Sequence, residues 1–182
     1  MDEKVAPKKT GMIIAAVSTI VAAIVGVGAY FSPYLTLNNM KTATANRNAN
    51  ALSQEIDFPS LRTSIKENIR IQVIKQMAAT GAKPIKGMSP ELVAKMINPM
   101  VDKILTPEGL DDLMQDKVPG AKVNLPDIEK NMADSDIKMG YESLDRFVVH
   151  FTGKVDRTKS VSVILKRNGL AWKLSGIDIS KV

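Results

Sequence analysis

Hydrophobic and polar positions change rhythm twice along this chain. From Gly11 to Phe31 there are 21 residues without a charge. As a helix rising about 1.5 Å per residue, that run covers roughly 32 Å, close to the ~30 Å hydrocarbon core of a bilayer. From Ser32 onward the apolar positions step at helical spacing. Ser32-Pro33 reads as an N-cap followed by proline at the first helical position, with Leu37, Met40 and Ala43 or Thr44 inward. Arg47-Asn48 makes a break, and a short turn presents Ala51, Leu52 and Ile56. Asp57 reads as the N-cap of a longer helix carrying Leu61, Ile65, Ile69, Val73 and Met77, with Ile74 and Ala78 alongside and Gly81 as its C-terminal cap. Ser89-Pro90-Glu91 opens a further helix, with Val93, Met96, Ile97, Met100, Val101 and Ile104 as its core stripe and Pro99 inside it. Thr106-Pro107-Glu108 opens a last one, with Leu110, Leu113 and Met114.

The period then falls from 3.6 to 2. Ile137, Met139 and Tyr141 alternate, as do Phe147, Val149 and Phe151, then Val161, Val163 and Leu165. Leu170, Trp172 and Leu174 follow, then Ile177 and Ile179. Asn168-Gly169 is a strong two-residue hairpin signal, because both central positions of that turn want positive φ. Helices followed by a four-stranded antiparallel meander make an α+β domain. The expected organisation is an N-terminus over 1-10, a transmembrane anchor over 11-31 and a domain over 32-182. Within that domain the helices occupy 32-116, a connection 117-135 and the sheet 136-180.

Charge gives the apolar run a direction. Lys8 and Lys9 abut it on one side, and the first base on the other side is Lys41. Lys/Arg excess marks the cytoplasmic side, so the N-terminus is expected inside and the domain outside the plasma membrane. Tyr30, Phe31 and Tyr34 lie where an aromatic belt would sit. Val27 and Ala29 would suit a signal-peptide cleavage site, but the run exceeds the roughly 7–15 apolar residues of a signal peptide, which favours an uncleaved anchor. Gly11, Ser18, Gly26 and Gly28 form no GxxxG helix-pairing motif.

The net charge is +6, unevenly spread. Glu108 to Asp145 holds 10 acids and 4 bases, whereas Lys154 to Lys181 holds 7 bases and 2 acids. Lys154, Arg157, Lys159, Lys166 and Arg167 are therefore candidates for a surface facing anionic lipid or envelope polymer. With few aromatics and the bases dispersed along strands, no nucleic-acid partner is expected.

The chemistry is sparse. With no cysteine and His150 as the single histidine, thiol catalysis, Cys-containing zinc sites and paired-histidine sites are excluded. His150 falls out of phase with Phe147, Val149 and Phe151 and shares the opposite face with Val148. Gly26-Val27-Gly28 lies in the apolar run and cannot be a dinucleotide turn; Walker and GxSxG motifs are absent. Asp111, Asp112 and Asp116, and the pair Asp134 and Asp136, read as solvated or capping carboxylates rather than metal ligands. No catalytic, cofactor or metal residue is assigned. Tyr141 and Asp145 are the residues to test for a pocket, and Trp172 is expected as a core anchor between sheet and helices.

The stretch SPYLTLNNMKTATANRNANALSQEIDFPSLRTSIKEN, then LTPEGLDDLM, then LKRNGLAWKLSGIDI, resembles the bacterial domain-of-unknown-function family 2939 over essentially Ser32 to Ile179. Asp57-Phe58-Pro59 with Leu61-Arg62, and Gly169 to Leu174, are its most specific pieces. The resemblance implies an anchored envelope protein and supplies no catalytic residues. Helices followed by a curved antiparallel sheet are also similar to nuclear-transport-factor-like (NTF2-like) or cystatin-like cones, which host enzymes, binders and scaffolds alike. The leading expectation is a single-pass envelope protein, non-enzymatic, whose exported domain binds a protein or other envelope component. The alternatives are a small-ligand or lipid pocket or carboxylate enzyme in a cone, and docking of the basic surface onto anions.

Overall fold

The computed structural model describes residues 8–80, 90–118, 134–154 and 160–181, with residues 8–25 described as helix backbone only. The expected cap at Gly81, the loop at 83–87, the connection from Pro119 to Pro126, and Arg157 and Lys159 lie outside the described residues. Among the described residues, five helices precede the sheet in chain order: α1 Lys8–Ala45, α2 Ala49–Gln54, α3 Phe58–Thr80, α4 Pro90–Ile104 and α5 Pro107–Met114. Four strands follow among the described residues: β1 Ser135–Ser143, β2 Arg146–Gly153, β3 Ser160–Asn168 and β4 Ala171–Lys181, all antiparallel neighbours in the order β1-β2-β3-β4. The α+β class is therefore as read from the change of period.

The polar signals that start and stop the helices behave largely as expected. Arg47 takes a positive φ of 50°, and Asn48 then caps α2 by accepting from the Ala51 amide. The Asp57 carboxylate accepts from the Ser60 amide at the start of α3. Thr106 accepts from the Gly109 amide at 2.9 Å, with Pro107 in the first helical position of α5. Gly109 has to be glycine, because a Cβ there would sit 2.4 Å from the Lys103 carbonyl oxygen. That lets α5 fold back directly on the end of α4.

Three expectations need correction. Ser32-Pro33 does not open a new helix; Pro33 lies inside α1, which runs unbroken for 38 residues. In α4 the buried side is Val93, Ile97, Val101 and Ile104, while Met96 and Met100 are 61% and 62% exposed. The two methionines fall one step round the helix, outside the stripe that α3 and α5 can cover. In the last hairpin, Asn168 pairs with Ala171, so Gly169 and Leu170 form the turn. Only Gly169 has positive φ, at 64°, the pattern of a turn with glycine first. Leu170, expected to point inward with Trp172, is instead 95% exposed at the tip.

The core lies between the sheet's inner face and the helices. Phe147 and Leu165 are fully buried and Trp172 is 1% exposed; Leu174, Leu52, Ile56, Leu61, Ala43 and Met114 pack with them. Tyr34, Leu37 and Met40 of α1 close over the same cluster. Val148 and His150 share the outer face, but only His150 is exposed; it pairs with Ser162 Oγ at 2.8 Å. On the edge strand β1, Ile137 and Met139 alternate as expected yet remain exposed, because the helices pack over the β4 side of the sheet.

The edge of β4 is closed by side chains of α1 and α3 and by the backbone between α2 and α3. Trp172 O accepts from Thr36 Oγ1, and Leu174 exchanges backbone bonds with Glu55 and Asp57 at 2.8 and 2.9 Å. Beyond that, α3 takes over with a polar stripe at four-residue spacing. Ser64 bonds both the amide and the carbonyl of Ile177; Asn68 bonds the Ile177 carbonyl and the Ile179 amide; Gln72 donates to the Ile179 carbonyl. The outward groups switch from even to odd positions where Ser175 is inserted as a bulge between Leu174 and Gly176. An open strand edge invites pairing with another chain, and here a helix occupies it.

Among the described residues, no helix is long and apolar enough to cross a membrane. The side chains of residues 8–25, which make up most of the expected anchor, lie outside that description.

Candidate functional site

The site is the junction where α1 meets the hairpin end of the sheet. It starts with Pro33, which has no amide hydrogen and whose ring pushes against the carbonyl one turn back. The Ala29 and Tyr30 carbonyls, lying one turn back, take side-chain donors. Ser32 Oγ donates to Ala29 O at 2.7 Å, and Tyr141 Oη donates to Tyr30 O at 2.6 Å. Trp172 Nε1 in turn donates to Ser32 Oγ at 2.8 Å. The indole therefore holds the serine that holds the freed carbonyl, and two strands at opposite edges of the sheet grip one proline-loosened turn of helix.

Aromatic rings fill the space around these bonds. The chain has eight aromatic residues, and six of them meet here: Tyr30, Phe31, Tyr34, Tyr141, Phe147 and Trp172. Tyr30 stacks on Tyr141 with ring centroids 5.3 Å apart, and Tyr34 meets Phe147 edge-on at 5.0 Å. The Arg167 guanidinium lies 4.9 Å from the centre of the Trp172 ring. Partial burial raises the Tyr141 pKa above its ordinary value; Arg167 opposes that shift, and Tyr30 and Tyr34 add to it. Tyr141 thus stays protonated and remains a donor at neutral pH.

Beside the junction is an open cleft of 810 Å³, lined by Ala29, Tyr30, Met139, Tyr141, Leu144 and Arg167 among others. Tyr141 was expected near a pocket and lines this one. Asp145 was expected with it but is fully exposed in the β1–β2 turn. Ser143 Oγ donates to it at 2.6 Å, and that bond, with lesser pulls from Lys166 and Arg146, lowers its pKa. The two residues do not converge on a shared reaction centre.

The basic candidates are also divided. Lys166 and Arg167 lie at the hairpin end of β3, whereas Lys154 follows the far end of β2, about 25 Å away along the strands. They do not form one face. A different row does form: Arg146 pairs with Lys166, and Lys166 pairs with Lys173, so three cations stand side by side across β2, β3 and β4. Arg146 has an ion pair with Glu142. Among the described residues, no group of three or more His, Cys, Asp or Glu side chains could hold a metal ion.

Comparison with known families adds one result. The family described as "Protein of unknown function (DUF2939)" matches residues 21–113. The chain belongs to this family. The matched stretch of DUF2939 begins in the apolar run and ends within α5, so the sheet is outside it. It includes the helix side of the junction, with Ala29, Tyr30, Ser32 and Pro33, and the Asp57-Phe58-Pro59 piece. The strand side, with Tyr141 and Trp172, lies beyond it. No curated protein and no solved structure matches the chain.

Sequence reasoning missed the junction because it read Ser32-Pro33 as a boundary. The usable signal was the pairing of a proline inside a helix-compatible run with the aromatic crowding on both sides of it.

Proposed function

We propose that this DUF2939 protein is a single-pass membrane protein of the bacterial envelope. Residues 11–31 form its anchor, the N-terminus is cytoplasmic, and the exported domain is a non-enzymatic interaction module. The observation that carries the proposal is the continuity of α1: the 21-residue uncharged run passes without a break into a helix that the domain grips at Ser32 and Tyr30. Lys8 and Lys9 before the run and the aromatic cluster after it support the orientation. Binding is assigned to the β1 side, where the junction cleft lies and Met139 and Ile137 are exposed, since α3 already occupies the β4 edge. A pocket inside a cone would need room on the sheet's inner face, which Phe147, Leu165 and Trp172 fill.

The absence of cysteine makes the test clean. Asp2→Cys and Asp134→Cys are expressed singly in a bacterial host and treated with a membrane-impermeant maleimide. The expected result is labelling of Asp134→Cys in intact spheroplasts and of Asp2→Cys only after lysis, with both chains in the membrane after a carbonate wash. The reverse pattern, or release by carbonate, refutes the proposal.

A further inference from the structure

We infer that the hairpin end of the sheet rests in the headgroup layer of the membrane that α1 enters, with Leu144 and Leu170 as apolar contacts and the row Arg146, Lys166 and Lys173 facing anionic lipid phosphates. The inference rests on the anchor proposed above. The meander brings the β1–β2 and β3–β4 turns to the same end, and the Arg167 amide donates to Asp145 O at 2.9 Å, joining them side by side. Each turn carries a leucine at its tip, 90% exposed at Leu144 and 95% at Leu170. These are the two most exposed large apolar side chains among the described residues, and both stand where a turn ordinarily takes a polar residue.

Their height relative to the anchor follows from the cleft. Leu144 lines it together with Gly26, Ala29 and Tyr30, which belong to the last turns of the uncharged run. A helix segment at the bilayer interface therefore has Leu144 beside it. Exposed Val27, Tyr30 and Phe31 continue the same apolar surface.

The charges fit the same surface. Like charges directly opposite on neighbouring strands are unfavourable, yet Arg146, Lys166 and Lys173 stand in one row. Glu142 and Asp145 offset two of the four cations at this end, Arg167 included, which leaves it net positive. Phosphate headgroups would relieve that row, and basic residues near an anionic bilayer are attracted to it.

The test uses the full chain in nanodiscs of phosphatidylcholine, with or without phosphatidylglycerol. Leu144→Cys, Leu170→Cys and, at the opposite end of the sheet, Asp134→Cys each carry an environment-sensitive fluorophore, and quenching by a headgroup-attached nitroxide is read. The expected result is several-fold stronger quenching at 144 and 170 than at 134. The Arg146→Glu, Lys166→Glu, Lys173→Glu combination should remove most of that difference only where phosphatidylglycerol is present. Equal, weak quenching at all three positions in loaded nanodiscs overturns this inference and leaves the anchor standing. A chain that does not enter nanodiscs overturns both.

Discussion

The junction makes a quantitative claim about Ser32. Replacing it with Ala removes the acceptor of the Trp172 indole N–H and the donor to Ala29 O. Trp172 is 1% exposed, so water does not replace the lost acceptor. A buried donor left without a partner costs about 1–3 kcal/mol, and the second bond adds about 0.5–1. Alanine's better helix propensity returns about 0.5 kcal/mol. The net expectation is a loss of about 2 kcal/mol. With a urea slope of about 1–3 kcal/mol/M, the midpoint should fall by about 1 M. The assay is pulse proteolysis of the full chain in detergent across a urea series.

The decisive comparison is a double-mutant cycle with Trp172→Phe. Phenylalanine has no N–H to strand, so Ser32→Ala on that background should cost only the Ala29 bond, under about 1 kcal/mol. A coupling of about 1 kcal/mol or more supports the relay. Equal costs in both backgrounds, or no midpoint shift for Ser32→Ala alone, would refute it.

Asn68→Ala removes both of its bonds to β4 and strands the Ile179 amide, while Ser64 still holds Ile177 and Gln72 still holds the Ile179 carbonyl; it should destabilise the protein by about 2 kcal/mol, read as a lowered urea midpoint. Ser143→Ala should raise the Asp145 pKa back toward 3.8, read by NMR titration of its carboxyl carbon. Because that pKa is lower folded than unfolded, the linked stability is present above the ordinary carboxylate range and lost as pH falls through the folded value, and the variant should show less of that loss. Among soluble truncations, a chain starting at Gly26 should fold. One starting at Leu35 should lose about 3–5 kcal/mol with Ser32, Pro33 and Tyr34 and open the Phe147–Trp172 core, visible as a lowered melting temperature.

Much of the fold was legible because it rests on period and on local polar signals. Asn48, Asp57 and Thr106 cap where their side chains can reach a free amide, a property of three or four neighbouring residues. Phe147, Leu165 and Trp172 face inward because alternation fixes a strand's two faces. What the period could not show is which face of a helix is polar for a reason. Ser64, Asn68 and Gln72 look like the solvent side of α3, yet they serve a strand more than a hundred residues away. The hairpin was displaced by one residue because Asn-Gly suits one turn and Gly-Leu another, and pairing of Asn168 with Ala171 selects the second. The Tyr141 and Asp145 pairing failed for a similar reason: four residues apart on a strand ending in a turn, one points to the helix and the other to solvent.

The junction also changes what an uncharged run at the head of a domain means mechanically. An anchor joined by a flexible linker leaves its domain free to search a volume. Here the residues just after the run, Tyr34, Leu37, Met40 and Ala43, are part of the core itself. The helix cannot tilt against the sheet without breaking the Ser32–Trp172 and Tyr30–Tyr141 contacts and opening the ring cluster. The direction of α1 and the orientation of the sheet are therefore one variable. If α1 crosses a bilayer, the height and tilt of every surface of the domain above it are fixed by the packing around Pro33. The cleft and both leucine-tipped turns then lie at the membrane, while the β2–β3 end of the sheet stands farthest from it.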